Sequence, residues 1–266
     1  VDDYYNQLFL NVGSPINKKT SSSLRIDSNC LKLTFDINEY SIAINLLEKL
    51  DHMNHVRAAI YNRHDGHSTL VVSVNKYQQL NISLQLRILK TVVSSLRKID
   101  NIQTCDIRYL IVAKYFLSHF LSNRIIRINP TGDNNDVCAY CLKGFVNKRN
   151  TLDQHVKKYS DHGEKHEVEN MRSCLQEDTK KDVSILIPAS IIVFDANGAK
   201  TDVEFDGFII HPYRKTQQVV FLEAKVSREA GHAESELKQK LVKLGFSVPS
   251  DSIIRSGNDA HYIHSI

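Results

Sequence analysis

The sequence predicts a mixed α/β (α+β) protein, and three observations predict it. Residues 203–226 (VEFDGFIIHPYRKTQQVVFLEAKV) hold two apolar runs of strand character on either side of a short polar turn. Leu237, Leu241 and Leu244 then recur at three- and four-residue spacing, the mark of a buried helix face. Segments 84–99 and 107–121 read as two further long helices, and the second is apolar nearly all round, so it belongs in the interior.

The hairpin carries the chemistry. Phe208, Ile209 and Ile210 end one β run, and Val219 to Leu222 start the next, with Pro212 and the polar residues 213–217 between them. If His211 pairs with Gln218, counting sets Phe208 opposite Phe221, Asp206 opposite Glu223 and Glu204 opposite Lys225. Side chains alternate along a strand, so Glu223 and Lys225 share one face, and Glu204 and Asp206 share one face. With all four on the same face, Asp206 and Glu223 would have Cβ atoms roughly 5 Å apart. Opposed like charges destabilise a sheet unless something offsets them. A hard divalent cation does so, and magnesium needs only one or two carboxylates because it keeps waters for phosphate oxygens. Such an ion acidifies a bound water and stabilises charge at phosphorus. The Lys225 ammonium would hold the attacking water or the developing charge. The plainer alternative is a wet hairpin face carrying Glu and Lys.

Asp206 followed by Glu223-Ala224-Lys225 resembles the PD-(D/E)XK nuclease superfamily. The resemblance covers about the last third of the chain and implies a restriction-endonuclease-like core in αβββαβ order. In that order, 185–194 is the first strand with 195–198 as its turn, 227–244 is the helix after the third strand, and 260–265 is the last strand. The resemblance also implies that Asp206 and Glu223 bind magnesium or manganese and that Lys225 assists the nucleophile. An acid from the first helix often joins them, and Glu167, Glu169 and Glu177 are all in place to do so. Glu204 is a further candidate ligand.

The helix after the motif has Gly245 as its C-terminal cap. Glu234–Lys238 and Glu236–Lys240 have the spacing of favourable four-residue pairs. Arg228, Lys238, Lys240 and Lys243 are candidate phosphate contacts.

Only two of the five cysteines, Cys138 and Cys141, lie close together. With Phe145, Leu152 and His155 after them, this run resembles a two-Cys, two-His zinc finger, which implies zinc held by Cys138, Cys141, His155 and His162. His162 is seven positions beyond His155, about 10 Å of rise on an unbroken helix and too far to share one ion. Either the helix unwinds near residues 160–163, or the fourth ligand is His166 or Cys174. Zinc here would staple the segment or help it read bases, with Lys148, Arg149, Lys157 and Lys158 available for phosphates.

Composition bounds the rest. The 266 residues are 42% hydrophobic, enough for a real core, and the net charge of +4 is compatible with a nucleic-acid partner. No apolar run approaches the roughly 20 residues of a membrane span. An odd number of cysteines with one close pair favours a reducing, cytoplasmic setting. In the N-terminal part, Leu31, Leu33, Phe35 and Ile37 alternate as a strand, Ile42, Leu46, Leu47 and Leu50 have helical spacing, and 70–74 reads as another strand. Pro130 and the polar run 131–136 mark the best boundary. Three segments are therefore expected: a helix-rich region 1–130 for recognition or dimerisation, a zinc-finger-like segment 131–180 and a nuclease-like core 181–266. His52, His55, His64 and His67 cluster without metal-binding spacing, and Arg57 and Arg63 lie near them.

The expected function is a metal-dependent endonuclease acting on nucleic acid, with double-stranded DNA favoured over RNA and a homodimer favoured if both strands are cut. Restriction or other anti-invader defence is the setting that the fold's usual employment suggests. The alternatives are a non-cleaving nucleic-acid-binding protein with a zinc finger, and an interaction protein in which zinc staples a loop.

Overall fold

The computed structural model describes residues 23–27, 30–36, 39–50, 56–62, 68–97, 107–121, 124–129, 139–159, 161–176, 181–195, 197–226, 231–249 and 251–265. The chain is mixed α+β, as the sequence predicts, with antiparallel sheets.

The N-terminal part forms a four-stranded sheet. Its strands are β1 (Ser23–Asp27), β2 (Cys30–Asp36), β3 (Val56–Asn62) and β4 (Ser68–Val74), in spatial order β1-β2-β4-β3. Leu31, Leu33 and Phe35 all point inward, as their alternation requires. Ile37 lies outside the described residues, as do His52, His55, Arg63, His64 and His67. Helix α1 (Tyr40–Leu50) buries Leu46 and Leu50. Helix α2 (Ile82–Leu96) starts on Asn81, whose side chain accepts the Leu84 N–H at 2.9 Å. Helix α3 (Ile107–Phe120) buries Tyr109, Val112, Ala113, Phe116 and Leu117.

A six-stranded antiparallel sheet organises the rest. Strand β6 (Tyr140–Lys143) is at one edge, followed in space by β7 (Val183–Ile187), β10 (Gly207–His211), β11 (Gln218–Glu223), β13 (Asp259–Ser265) and β12 (Ile253–Ser256). Strands β5 (Ile125–Asn129), β8 (Ser190–Phe194) and β9 (Lys200–Phe205) make a separate three-stranded sheet, ordered β5-β8-β9. Helices α4 (Phe145–Val156) and α5 (His162–Cys174) cover one face of the large sheet, where Leu152, Val168 and Met171 meet Leu186, Ile209, Val220 and Leu222. Helix α6 (His232–Lys243) covers the other, where Ala233, Leu237 and Leu241 join Phe208, Ile210, Phe221 and Tyr262. Along the chain, α5, β7, β10, β11 and α6 run helix–strand–strand–strand–helix, with β8 and β9 of the small sheet between β7 and β10, and two strands, β12 and β13, follow where the αβββαβ order has one.

The expected first strand, 185–194, is two strands. Pro188 lacks an N–H for the ladder, so β7 ends at Ile187 and the chain changes sheets before β8. The three expected segments also share structure. Strand β5, from the first segment, pairs with β8 of the third. Strand β6, from the middle segment, is an edge strand of the large sheet. The predicted cap at Gly245 is present, with positive φ. Its N–H reaches the Val242 carbonyl and the Phe246 N–H reaches that of Leu241, which closes the helix. The first expected turn of that helix, residues 227–230 with Arg228, lies outside the described residues. Among the described residues, no helix is long and apolar enough to cross a membrane.

Candidate active site

The β10–β11 hairpin has the register that counting predicted: His211 opposite Gln218, Phe208 opposite Phe221 and Gly207 opposite Leu222. One residue further, the Asp206 N–H donates to the Leu222 carbonyl at 3.2 Å. Alternation with Phe221 puts Glu223 on the α6 face, where Lys240 of that helix meets it. Asp206 is the crossover residue, between β9 of the small sheet and β10 of the large one. Its Oδ2 accepts the Ala224 N–H at 2.7 Å, which fixes the carboxylate against the end of β11.

The register stops there. Glu204 is on β9, opposite Ile192 of β8, and does not face Lys225. It is exposed, and its carboxylate takes a hydrogen bond from Ser190 Oγ.

Glu223 is fully buried, and both of its oxygens meet ammonium groups. Lys225 Nζ lies 3.0 Å from Oε1, and Lys240 Nζ lies 2.5 Å from Oε2. Lys225 Nζ also pairs with Glu236 Oε2 at 2.5 Å. Helix α6 thus turns Glu236 and Lys240 into the site, while Glu234 pairs with Arg255 at 2.7 Å across to β12. Surface pairing along the helix, which the four-residue spacing suggested, is not their main use.

Helix α5 closes the other side. Asn170 Nδ2 donates to the Glu223 carbonyl at 3.1 Å, and this holds the helix at the end of β11. Gly207 permits the approach, since a Cβ there would come within 2.9 Å of Met171 Cε and 3.1 Å of the Ile187 carbonyl. Glu167, one turn before Asn170, has a buried Oε2 with no hydrogen-bond partner among the described residues. Burial, then the charges of Asp206, Glu164, Glu204 and Glu223, push its carboxyl up to about 8. Glu169 is exposed, and Glu177 lies outside the described residues. Of the candidate upstream acids among the described residues, Glu167 is therefore the one that senses the hairpin pair.

The electrostatics are those of crowded acids held by two amines. Burial raises both Asp206 and Glu223; Asp206 raises Glu223 further, and the lysines oppose the shift. Burial alone would lower Lys225, but Glu236 and Glu223 outweigh it and hold the ammonium above its ordinary range. Glu236, although burial opposes it, is drawn down to about 2 by its bond to Lys225. Among the described residues, no three His, Cys, Asp or Glu side chains converge as a ready metal shell. The donors nonetheless suit a hard cation. Three carboxylates influence one another here, and the orphaned Glu167 oxygen lacks the partner that a buried polar atom requires.

The residues read as a zinc set are not brought together. Cys141 lies on β6 with its side chain in the α6-side core, whereas Tyr140 and Leu142 face α4 and α5. His155 is on the Tyr140 side, with Nδ1 3.0 Å from Tyr140 Oη and Nε2 2.6 Å from Tyr159 Oη. The sheet thus separates Cys141 from His155, and both ring nitrogens are already used. No single helix carries His155 and His162: α4 ends at Val156 and α5 begins at His162, which is exposed. His166 bonds Asp259 at 2.8 Å, and Cys174 bonds Asn170 while burial pushes its thiol up to about 12. Cys138 lies outside the described residues. Lys148, one of the expected phosphate contacts, is fully buried and donates to Ser184 at 2.8 Å.

Sequence reasoning missed Asp259. It lies just after the β12–β13 turn, and its Oδ1 takes His166 and, at 3.4 Å, the Lys225 N–H. No local motif marks it, because its partners are far away in the chain. Comparisons with protein-family models, curated proteins and solved structures found no match.

Proposed function

We propose that this chain is a metal-dependent nuclease that hydrolyses phosphodiester bonds, with double-stranded DNA as its substrate. The observation that carries the reading is the buried Glu167 oxygen without a partner, beside Asp206 and Glu223, with an amine on Glu223. Asp206, Glu223 and Glu167 would hold magnesium or manganese. When bound, the ion supplies an acidified water and charge stabilisation at phosphorus. Asp206 is held for this by the Ala224 N–H. Lys225, kept charged by Glu236 and Glu223, orients the attacking water or meets the negative charge that develops. Glu204, on β9 and exposed, adds a neighbouring negative charge to Glu167 and Asp206.

Incubation with plasmid DNA and magnesium tests the reading. Cutting that disappears in Asp206→Ala and Glu223→Ala supports it, and equal cutting in both variants removes the site. A non-cleaving nucleic-acid-binding protein is the second reading. It is favoured by the two ammonium groups on Glu223, which would leave no ligand if they stayed permanently. DNA binding without cutting under the same conditions selects it.

A further inference from the structure

We propose that Lys240 is a built-in competitor for the metal: its ammonium occupies Glu223 when no divalent ion is bound and must leave for one to enter. The proposal rests on the nuclease reading and adds how the site is loaded.

The two lysines on Glu223 are not equivalent. Lys225 Nζ contacts Glu223 Oε1 at 3.0 Å and has a second, closer anchor, Glu236 Oε2 at 2.5 Å. It keeps a carboxylate partner if Glu223 turns away. Lys240 Nζ sits 2.5 Å from Glu223 Oε2, and among the described residues Glu223 is its only ion-pair partner. The Lys240 side chain is 19% exposed and the Glu223 side chain 0%, so the lysine reaches solvent where the carboxylate does not. A flexible four-carbon stem lets Lys240 swing to solvent, whereas Glu223 is fixed by Asn170 at its carbonyl and by β13 alongside. A divalent ion on Asp206 and Glu223 would repel an ammonium at hydrogen-bond distance from the same carboxylate. Ion and ammonium therefore exclude each other at Oε2.

When a binding-competent state is only partly populated, apparent affinity falls by that fraction. If Lys240 holds Glu223 nine-tenths of the time, removing it tightens binding about tenfold. The experiment titrates manganese into the full chain by calorimetry at fixed pH and ionic strength. It compares the wild type with Lys240→Met, Lys240→Gln and Glu223→Gln. Lys240→Met should bind manganese about tenfold more tightly. Without metal it should melt at a lower temperature than the wild type, since a buried carboxylate loses one of its two counter-charges, and manganese should raise its midpoint by more. If Lys240→Met is too unstable to purify, Lys240→Gln leaves an uncharged donor on Glu223 and is read in the same way. Equal or weaker binding in the lysine variants, with binding lost in Glu223→Gln, overturns the competition and leaves the metal site standing. Absence of manganese binding in the wild type and both lysine variants, all folded, overturns the competition and the nuclease reading together.

Discussion

Asp206 Oδ2 accepts the backbone N–H of Ala224 at 2.7 Å, so the residue that links two sheets also ties down the residue after β11. This bond separates the structural and chemical roles of Asp206. Asparagine can still accept from Ala224, but as a neutral ligand it is poor for a hard cation. Asp206→Asn should therefore keep its stability to within about 1 kcal/mol of the wild type while magnesium-dependent cutting falls roughly 100-fold or more. Asp206→Ala should lose cutting equally and also about 1–3 kcal/mol of stability, because the Ala224 N–H loses its acceptor. Urea unfolding and plasmid cutting on the same preparations check both. Asp206→Asn with full activity would remove the carboxylate from the mechanism.

Two glutamates two positions apart on α5 should behave differently. Glu167 is half-buried among acids with one oxygen unpartnered, whereas Glu169 is exposed. Glu167→Gln should weaken manganese binding by roughly tenfold and lower cutting, without loss of stability, since it removes a charge that burial and Asp206 already disfavour. Glu169→Gln should change neither. The measurement is a manganese titration of both variants, and matching results would take Glu167 out of the site.

Most of this site was legible in residues that are close in the chain. The polar turn and the alternating apolar residues of 203–226 fixed the hairpin register, which holds from Gly207 to His211. Counting failed at Glu204 because the chain changes sheets at Asp206, and alternation carries no signal for such a crossover. Pro188 was a visible warning that 185–194 could not be one central strand. The zinc set does not assemble among the described residues for a related reason. Cys141 is part of a strand whose Tyr140 and Leu142 face the opposite way, and finger-like spacing says nothing of pairing with β7. Lys240, Asp259 and Asn170 reach the site through tertiary packing, so no local pattern announces their partners.

His155 replaces the expected zinc ligand with a buried polar bridge between Tyr140 and Tyr159. Each ring nitrogen meets one hydroxyl, so the single ring serves both tyrosines. His155→Phe would keep an aromatic ring but remove both hydrogen bonds to the tyrosine hydroxyls, at about 0.5–1.5 kcal/mol each. A total loss of roughly 1–3 kcal/mol is expected in urea unfolding. Zinc chelation should leave the wild-type curve unchanged. Substantial destabilisation by the chelator, with metal analysis showing one zinc per chain, would restore the ligand role.

His211 should make the protein sensitive to acid. The Lys148 ammonium can only donate, so Ser184 Oγ accepts a hydrogen bond from it at 2.8 Å and donates its own O–H to His211 Nδ1, also at 2.8 Å. The ring is thus held neutral. Burial, then Arg214 and Lys148, drive it down to about 3, with Asp182 opposing. In the unfolded chain it titrates near 6.5. Above that pH neither state is protonated and His211 costs nothing. Between about 6.5 and 3 only the unfolded chain gains the proton, so stability falls by roughly 1.4 kcal/mol per pH unit. His211→Gln keeps an acceptor for Ser184 but cannot take up a proton, so its stability should decline more shallowly over this window, by the equivalent of one proton. Unfolding free energies of both proteins at pH 7, 5.5 and 4.5 test the difference in slope, and parallel curves would show that His211 titrates alike folded and unfolded.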